Sequence, residues 1–246
     1  MLIVAATGLH TPKYYDAVPW TDTESPELLA DRFIADIESG IDRHDYLGTT
    51  VDRTEHRAGV VKVAAPAEEL TARDQRLFEA AAMTSSATGV PILTHTESGK
   101  GGLQQVEMLQ RLGVSPERVA LSHTDKVDEP AYHRELLSTG VFLCYDQALR
   151  WQGENHTARL IVSMVDAGFG KQLLLGTDGA RRTLWSTLGG NPGLAWLHTG
   201  LVDRLRAEGV GSEQIDALFE ANPARFLTIT SPDRSATSHR ARAGQR

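Results

Sequence analysis

Six short apolar runs pace the chain, separated and followed by longer stretches with helical spacing. The runs are Leu2–Ala6, Gly59–Ala65, Val90–His95, Arg118–His123, Gly140–Asp146 and Gln172–Asp178. The helix-like stretches are Pro26–Gly40, Thr71–Thr88, Gly102–Leu112, Glu129–Leu137 and Ala158–Ala167, with Leu194–Glu208 and Ser212–Leu227 after the last run. Strands that alternate with helices pair in parallel, because each crossover returns the chain to the same end of the sheet. Runs that are apolar throughout belong to strands covered on both faces. The pattern predicts an α/β fold with six parallel strands. At 246 residues, 41% of them hydrophobic, the chain can bury one sizeable core, and barrels of this length often run as one domain. Pro26 and Pro130 stand near helix starts, where a missing N–H is tolerated. Ser212 reads as a helix cap.

Charge narrows the function classes. Acidic side chains outnumber basic ones, 32 to 25, for a net charge of −7. That balance leaves no electrostatic footprint for nucleic acid. No apolar run approaches the roughly 20 residues that span a bilayer, so no membrane partner is expected. The opening MLIVAATG has no basic stretch ahead of its apolar run, so no secretory leader is expected. Cys144 is the lone cysteine, which rules out an internal disulfide and fits a reducing cytoplasm. From Ser231 onward apolar periodicity stops and arginines accumulate. Residues 230–246 are expected to form a disordered tail behind a folded barrel unit of residues 1–229.

Three runs end alike. His95 closes VPILTH, His123 closes RVALSH and Asp178 closes LLLGTD. In a parallel α/β barrel the carboxyl ends of all strands meet at one face, so residues remote in sequence share one site. Lys62 sits inside GVVKVAA, and a lysine is almost never fully buried unless something pairs with it. Desolvation favours its neutral amine. A neutral amine can add carbon dioxide and become a carbamate, a carboxylate on a long stem that can bridge two cations. Singly, each residue has a plainer reading: a structural histidine, a snorkelling lysine, a turn aspartate in GTDGA. Together, in the order Lys, His, His, Asp, they predict a divalent-metal site. Two ions sharing a ligand polarise a substrate oxygen and supply hydroxide at neutral pH. Imidazole and carboxylate donors suit zinc, with manganese, cobalt or iron as alternatives.

The stretches IVAATG, AGVVKVAA, GVPILTHTESG, GVSPERVALSHTD, LLLGTDGARR, GGNPGLAWL and NPARFL follow one another up to about Ile229. They resemble the phosphotriesterase family of the amidohydrolase superfamily, including its lactonases. The resemblance implies a distorted TIM (β/α)8 barrel with a binuclear metal centre. It makes Lys62 the carbamylated bridge and His95 and His123 the histidines of the more exposed metal. Asp178 becomes the carboxylate that binds the buried metal and takes up a proton. The family's first strand carries a His-x-His pair, and this sequence contains none. The chain is therefore expected to begin inside the third family strand and to keep six of eight strands. A neighbouring copy, in a homodimer, is one way to cover the edge so opened.

Around that centre, Tyr14 and Tyr15 are expected in the loop after the first run, and Asp146 and Arg150 at the pocket rim. Arg181 and Arg182 follow Asp178 and suit an anionic substrate group. Tyr14, Arg150 and Arg181 are the candidates for substrate contact. His10 is not expected to be a ligand, and His198 reads as structural. The expected activity is hydrolysis of a small lactone or related ester, with organophosphate triesters as a side activity. Amide hydrolysis is an alternative within the class. A different alternative is a shortened remnant that binds metal or ligand without turnover.

Overall fold

A computed structural model describes residues 3–15, 18, 20–66, 68–151 and 154–230. The expected parallel α/β architecture is present. Strands β1 (Ala5–Gly8), β2 (Ala58–Ala65), β3 (Ile92–Thr96), β4 (Val119–Ser122), β5 (Phe142–Tyr145) and β6 (Leu173–Leu175) form one six-stranded parallel sheet in sequence order. Helices α1 (Trp20–Thr23), α2 (Pro26–Glu38), α3 (Ala72–Thr88), α4 (Gly102–Arg111), α5 (Pro130–Ser138) and α6 (His156–Asp166) lie between the strands. Helices α7 (Gly200–Ala207), α8 (Ser212–Asp216) and α9 (Asn222–Leu227) follow β6. The described chain divides into two compact units. One runs to His95 and adds Leu103–Val119 and the chain from Leu227; the other joins Thr96–Gly102 to Ala120–Phe226. No helix among the described residues is long and apolar enough to cross a membrane.

In the first unit β1 pairs with β2, with Gly8 opposite Lys62. Gly8 has φ +106, and a Cβ there would sit 2.0 Å from the Lys62 carbonyl oxygen, so only glycine fits. Leu9 N donates to that same oxygen at 2.9 Å. The first strand is shifted from the expected Leu2–Ala6. Its ladder starts at Ala5 opposite Ala58, leaving Ile3 and Val4 exposed. Helix α2 starts on Ser25, whose side chain accepts from Leu28 N. Helix α3 starts on a reciprocal Thr71–Asp74 capping box. The two helices pack together through buried Leu29, Phe33, Leu77 and Phe78. Asp36 ties the long connection before β2 in place, accepting from Thr7 Oγ1 at 2.7 Å, Tyr46 OH at 2.6 Å and Arg53 Nη1 at 3.3 Å. Thr230 N donates to Gly89 O at 3.0 Å. The expected tail beyond it, residues 231–246, lies outside the described residues.

In the second unit β4, β5 and β6 are in regular register, with Ser122 opposite Cys144 and Tyr145 opposite Leu175. Leu136, Leu137, Leu160, Ile161 and Met164 bury the inner faces of α5 and α6. Two expectations need correction. Leu194–Glu208 is not one helix: a 3-10 turn over Leu194–His198 gives way to α7 at Thr199, whose φ −118 and ψ −82 are not helical. Ser212 is not a cap but the first residue of α8, preceded by Gly211.

His133, fully buried on α5, joins two backbone levels. Its Nε2 donates to Val127 O at 2.7 Å, and Tyr145 OH donates to its Nδ1 at 2.7 Å. Burial holds the imidazole below its ordinary value of 6.5. A depressed folded-state value means this contribution is present above about 6.5 and is lost as pH falls below it. Replacing His133 by Gln should cost about 1–3 kcal/mol at about pH 7.5, because buried partners lose their bonds. In denaturant titrations the parent should lose more stability than His133→Gln on going to about pH 5.5. Equal losses would show that His133 does not contribute to the acid limb.

Candidate metal centre

His123 follows β4, Asp146 follows β5, and Asp178 lies just beyond β6. One ligand-type atom from each lies within 4.8 Å of the other two. The backbones of His123 and Asp178 are both in the left-handed region, at φ 67 and φ 39. Such conformations cost about 1–3 kcal/mol each in a non-glycine residue and cluster at functional sites.

Asp146, expected at the pocket rim, is buried. It is 4% exposed, and its Oδ1 lies 2.8 Å from His123 Nδ1. An ionised carboxylate can only accept, so Nδ1 carries the proton and Nε2 is the lone-pair nitrogen. This is the carboxylate–histidine pairing that orients imidazole ligands. Gly176 makes room for it, since a Cβ there would stand 3.0 Å from the Asp146 Cβ.

Gln147 and Arg150 complete the group. Gln147 Nε2 donates to Asp146 Oδ1 at 2.5 Å and to Asp178 Oδ2 at 3.2 Å. Arg150 Nη2 donates to Asp178 Oδ2 at 2.5 Å and to the Asp178 carbonyl at 2.7 Å, while Nη1 reaches Gln147 Oε1 at 3.0 Å. Beneath them Asp125, fully buried, accepts from Gln147 N at 2.8 Å, Asp146 N at 3.2 Å and Thr157 Oγ1 at 2.8 Å. Burial first, then the nearby Asp146 carboxylate, hold the Asp125 carboxyl well above the usual range. Asp125 thereby fixes the turn that carries Asp146 and Gln147.

In the first unit Lys62 is half-buried on β2, between fully buried Val61 and Val63. His95 ends its run on the neighbouring strand β3, 7% exposed, and its carbonyl accepts from Gln105 Nε2 at 3.0 Å. The His10 ring stands 4.7 Å from the His95 ring and 4.9 Å from that of Tyr14, centroid to centroid. Tyr14 is exposed in its loop. Arg181 is exposed too, while Arg150 is drawn in against Asp178. The exposed His198 ring stands 4.7 Å from that of Phe219, centroid to centroid. Sequence reasoning missed Asp125, Gln147 and the role of Asp146. The signal was there in SHTDK and CYDQ, polar clusters directly behind apolar runs.

Imidazole nitrogen and carboxylate oxygen form a borderline-to-hard donor set, which fits zinc, manganese, cobalt or iron(II). The chemistry of His123 and Asp178 therefore suits a divalent cation, with Asp146 orienting the imidazole.

Comparisons with known proteins identify the family and the fold. The sequence profile of the phosphotriesterase family matches residues 1–227. A phospho-furanose lactonase of Mycoplasmopsis synoviae is 31% identical over 236 residues, covering 92% of this chain and 67% of that protein. The crystal structure of an amidohydrolase from Mycoplasma synoviae superposes with a TM-score of 0.87 at 27% identity, covering 99% of this chain and 74% of that one. The phosphotriesterase homology protein of Escherichia coli, solved with phosphate in its active site, gives a TM-score of 0.82 at 27% identity, covering 92% and 74%. These structures have the TIM-barrel type of fold that the sequence motifs imply.

Asp146→Asn keeps the shape of the side chain but removes the charge that fixes His123 Nδ1. Loss of such an orienting partner should weaken divalent-cation affinity about 10- to 100-fold. Competition with a chromophoric chelator measures this, with circular dichroism as the folding control. Undiminished affinity would remove Asp146 from the metal centre.

Proposed function

The chain belongs to the phosphotriesterase family, and on that premise we propose that it is a metal-dependent hydrolase of a lactone or related ester carrying an anionic group. The observation that carries the reading is the His123, Asp146 and Asp178 group, with Arg150 beside it. The anionic group is suggested by relatives, one named for a phosphorylated furanose lactone and one solved with phosphate in its active site.

A bound divalent cation would supply polarisation of the ester carbonyl and a water acidic enough to ionise near neutrality. His123 offers Nε2 because Asp146 holds Nδ1. Asp178 takes up the proton of the attacking water, and Gln147 keeps the Asp146 and Asp178 carboxylates at a fixed separation. On sequence resemblance, Lys62 is carried forward as a carbamylated ligand and His95 as a second imidazole ligand. Tyr14, Arg150 and Arg181 are the proposed substrate contacts, the two arginines for the anionic group. Organophosphate triesters are a side activity in this reading, because both reactions need an oxyanion stabilised in place.

The test is a panel of phosphorylated and unphosphorylated lactones, an aryl ester and an aryl dialkyl phosphate, run on zinc- or manganese-loaded protein. Phosphorylated lactones should turn over fastest, chelation should abolish turnover, and metal should restore it. Metal uptake without turnover of any compound would favour the binding-only alternative. Lys62→Ala should lower metal content while leaving the thermal midpoint nearly unchanged, and bicarbonate should speed reloading of the parent. Equal metal content in the variant and the parent would remove Lys62 from the centre.

A further inference from the structure

Arg150 ends the 3-10 turn Ala148–Arg150, and its side chain is 16% exposed. Its donors gather on one residue: Nη2 lies 2.5 Å from Asp178 Oδ2 and 2.7 Å from the Asp178 carbonyl oxygen. Gln147 Nε2 also donates to Oδ2, at 3.2 Å. A carboxylate oxygen has two lone-pair sites, and these two donors fill both. Meanwhile Arg150 Nε is buried and has no hydrogen-bond partner among the described residues. The guanidinium thus leaves one of its own donors unmet while it holds the oxygen nearest His123, whose Nδ1 is 3.9 Å from Oδ2.

We propose that Arg150 competes with a divalent cation for Asp178. The inference rests on the metal-hydrolase reading above and deepens it by naming a residue that sets metal affinity. A cation cannot take Oδ2 while both donors occupy it, and a guanidinium at hydrogen-bond distance repels a dication through a partly desolvated medium. Arg150 therefore stabilises the protein against metal, and metal affinity is lowered by whatever that contact contributes. Removing the arginine leaves a partly buried carboxylate without its counter-charge, a costly arrangement that a divalent ion relieves. The guanidinium is a competitor of the metal and a positioning group for Asp178.

The experiment uses the full chain, stripped with a chelator and titrated with zinc against a chromophoric competitor, for the parent, Arg150→Met and Arg150→Lys. Arg150→Met should bind zinc about tenfold more tightly or better, a modest share of the value of a desolvated charge pair. Arg150→Lys keeps the charge without the fork and should fall between. Circular dichroism and thermal midpoints report folding. As a measurement that needs no folded variant, the Arg150 guanidinium NMR resonances of the parent should shift on zinc addition. Unchanged or weaker zinc affinity in Arg150→Met, or unmoved guanidinium resonances at zinc saturation, would overturn the competition and leave the hydrolase reading standing. Failure of both parent and variants to take up zinc would overturn both.

Discussion

The ladder of β4, β5 and β6 makes one site out of three distant polar residues. Ser122 stands opposite Cys144, and Cys144 opposite Leu174. The pairing continues past the strand ends, with His123 N donating to Cys144 O at 3.2 Å and Gly176 N to Tyr145 O at 2.9 Å. Parallel strands leave a sheet at the same end, so whatever follows each of them is delivered to one rim. A slip of one residue would turn every side chain to the other face. Val119, Ala120, Leu121, Phe142, Leu143 and Leu173 are all buried, so these strands are covered on both faces.

Concentrating carboxylates at that rim has an electrostatic cost. Asp125, Asp146 and Asp178 come within one hydrogen-bond network, and burying an ion is unfavourable unless donors compensate. The compensation differs for each. Asp125 receives two backbone amides and a hydroxyl, and its carboxyl is still held high by burial and by Asp146. Asp146 has the His123 ring and the Gln147 amide, and Asp178 has Arg150 and the same amide. Gln147 therefore links all the outer members, and Asp125 holds the backbone of Gln147. A network in which each polar member has partners is rigid, which is what the left-handed backbones at His123 and Asp178 require to persist.

Family membership fixes the architecture, and the chemistry has to be read from the site's own residues. Arg150 shows this. It was expected at the pocket rim as a substrate contact, and its guanidinium also lies against the carboxylate that a cation would use. The same guanidinium serves charge balance, carboxylate orientation and metal affinity.

The alternation of apolar runs with helical stretches was enough to set the six parallel strands, because backbone pairing and face burial follow from local periodicity. The strand-end positions of His95, His123 and Asp178 were legible for the same reason: a polar residue directly behind an apolar run must sit at a strand exit. The half-buried lysine was legible because it interrupts a run that is otherwise buried. Tertiary structure decided what periodicity cannot carry. Asp146 and Gln147 acquired their roles only when β5 was set between β4 and β6, which brings their side chains against residues 23 or more positions away. The break at Thr199 and the start of β1 at Ala5 depended on close contacts and on ladder pairing with a distant strand. Local sequence sets which segments become strands and where they end; only packing decides which of the polar residues behind them meet, because that depends on contacts between segments far apart in the chain.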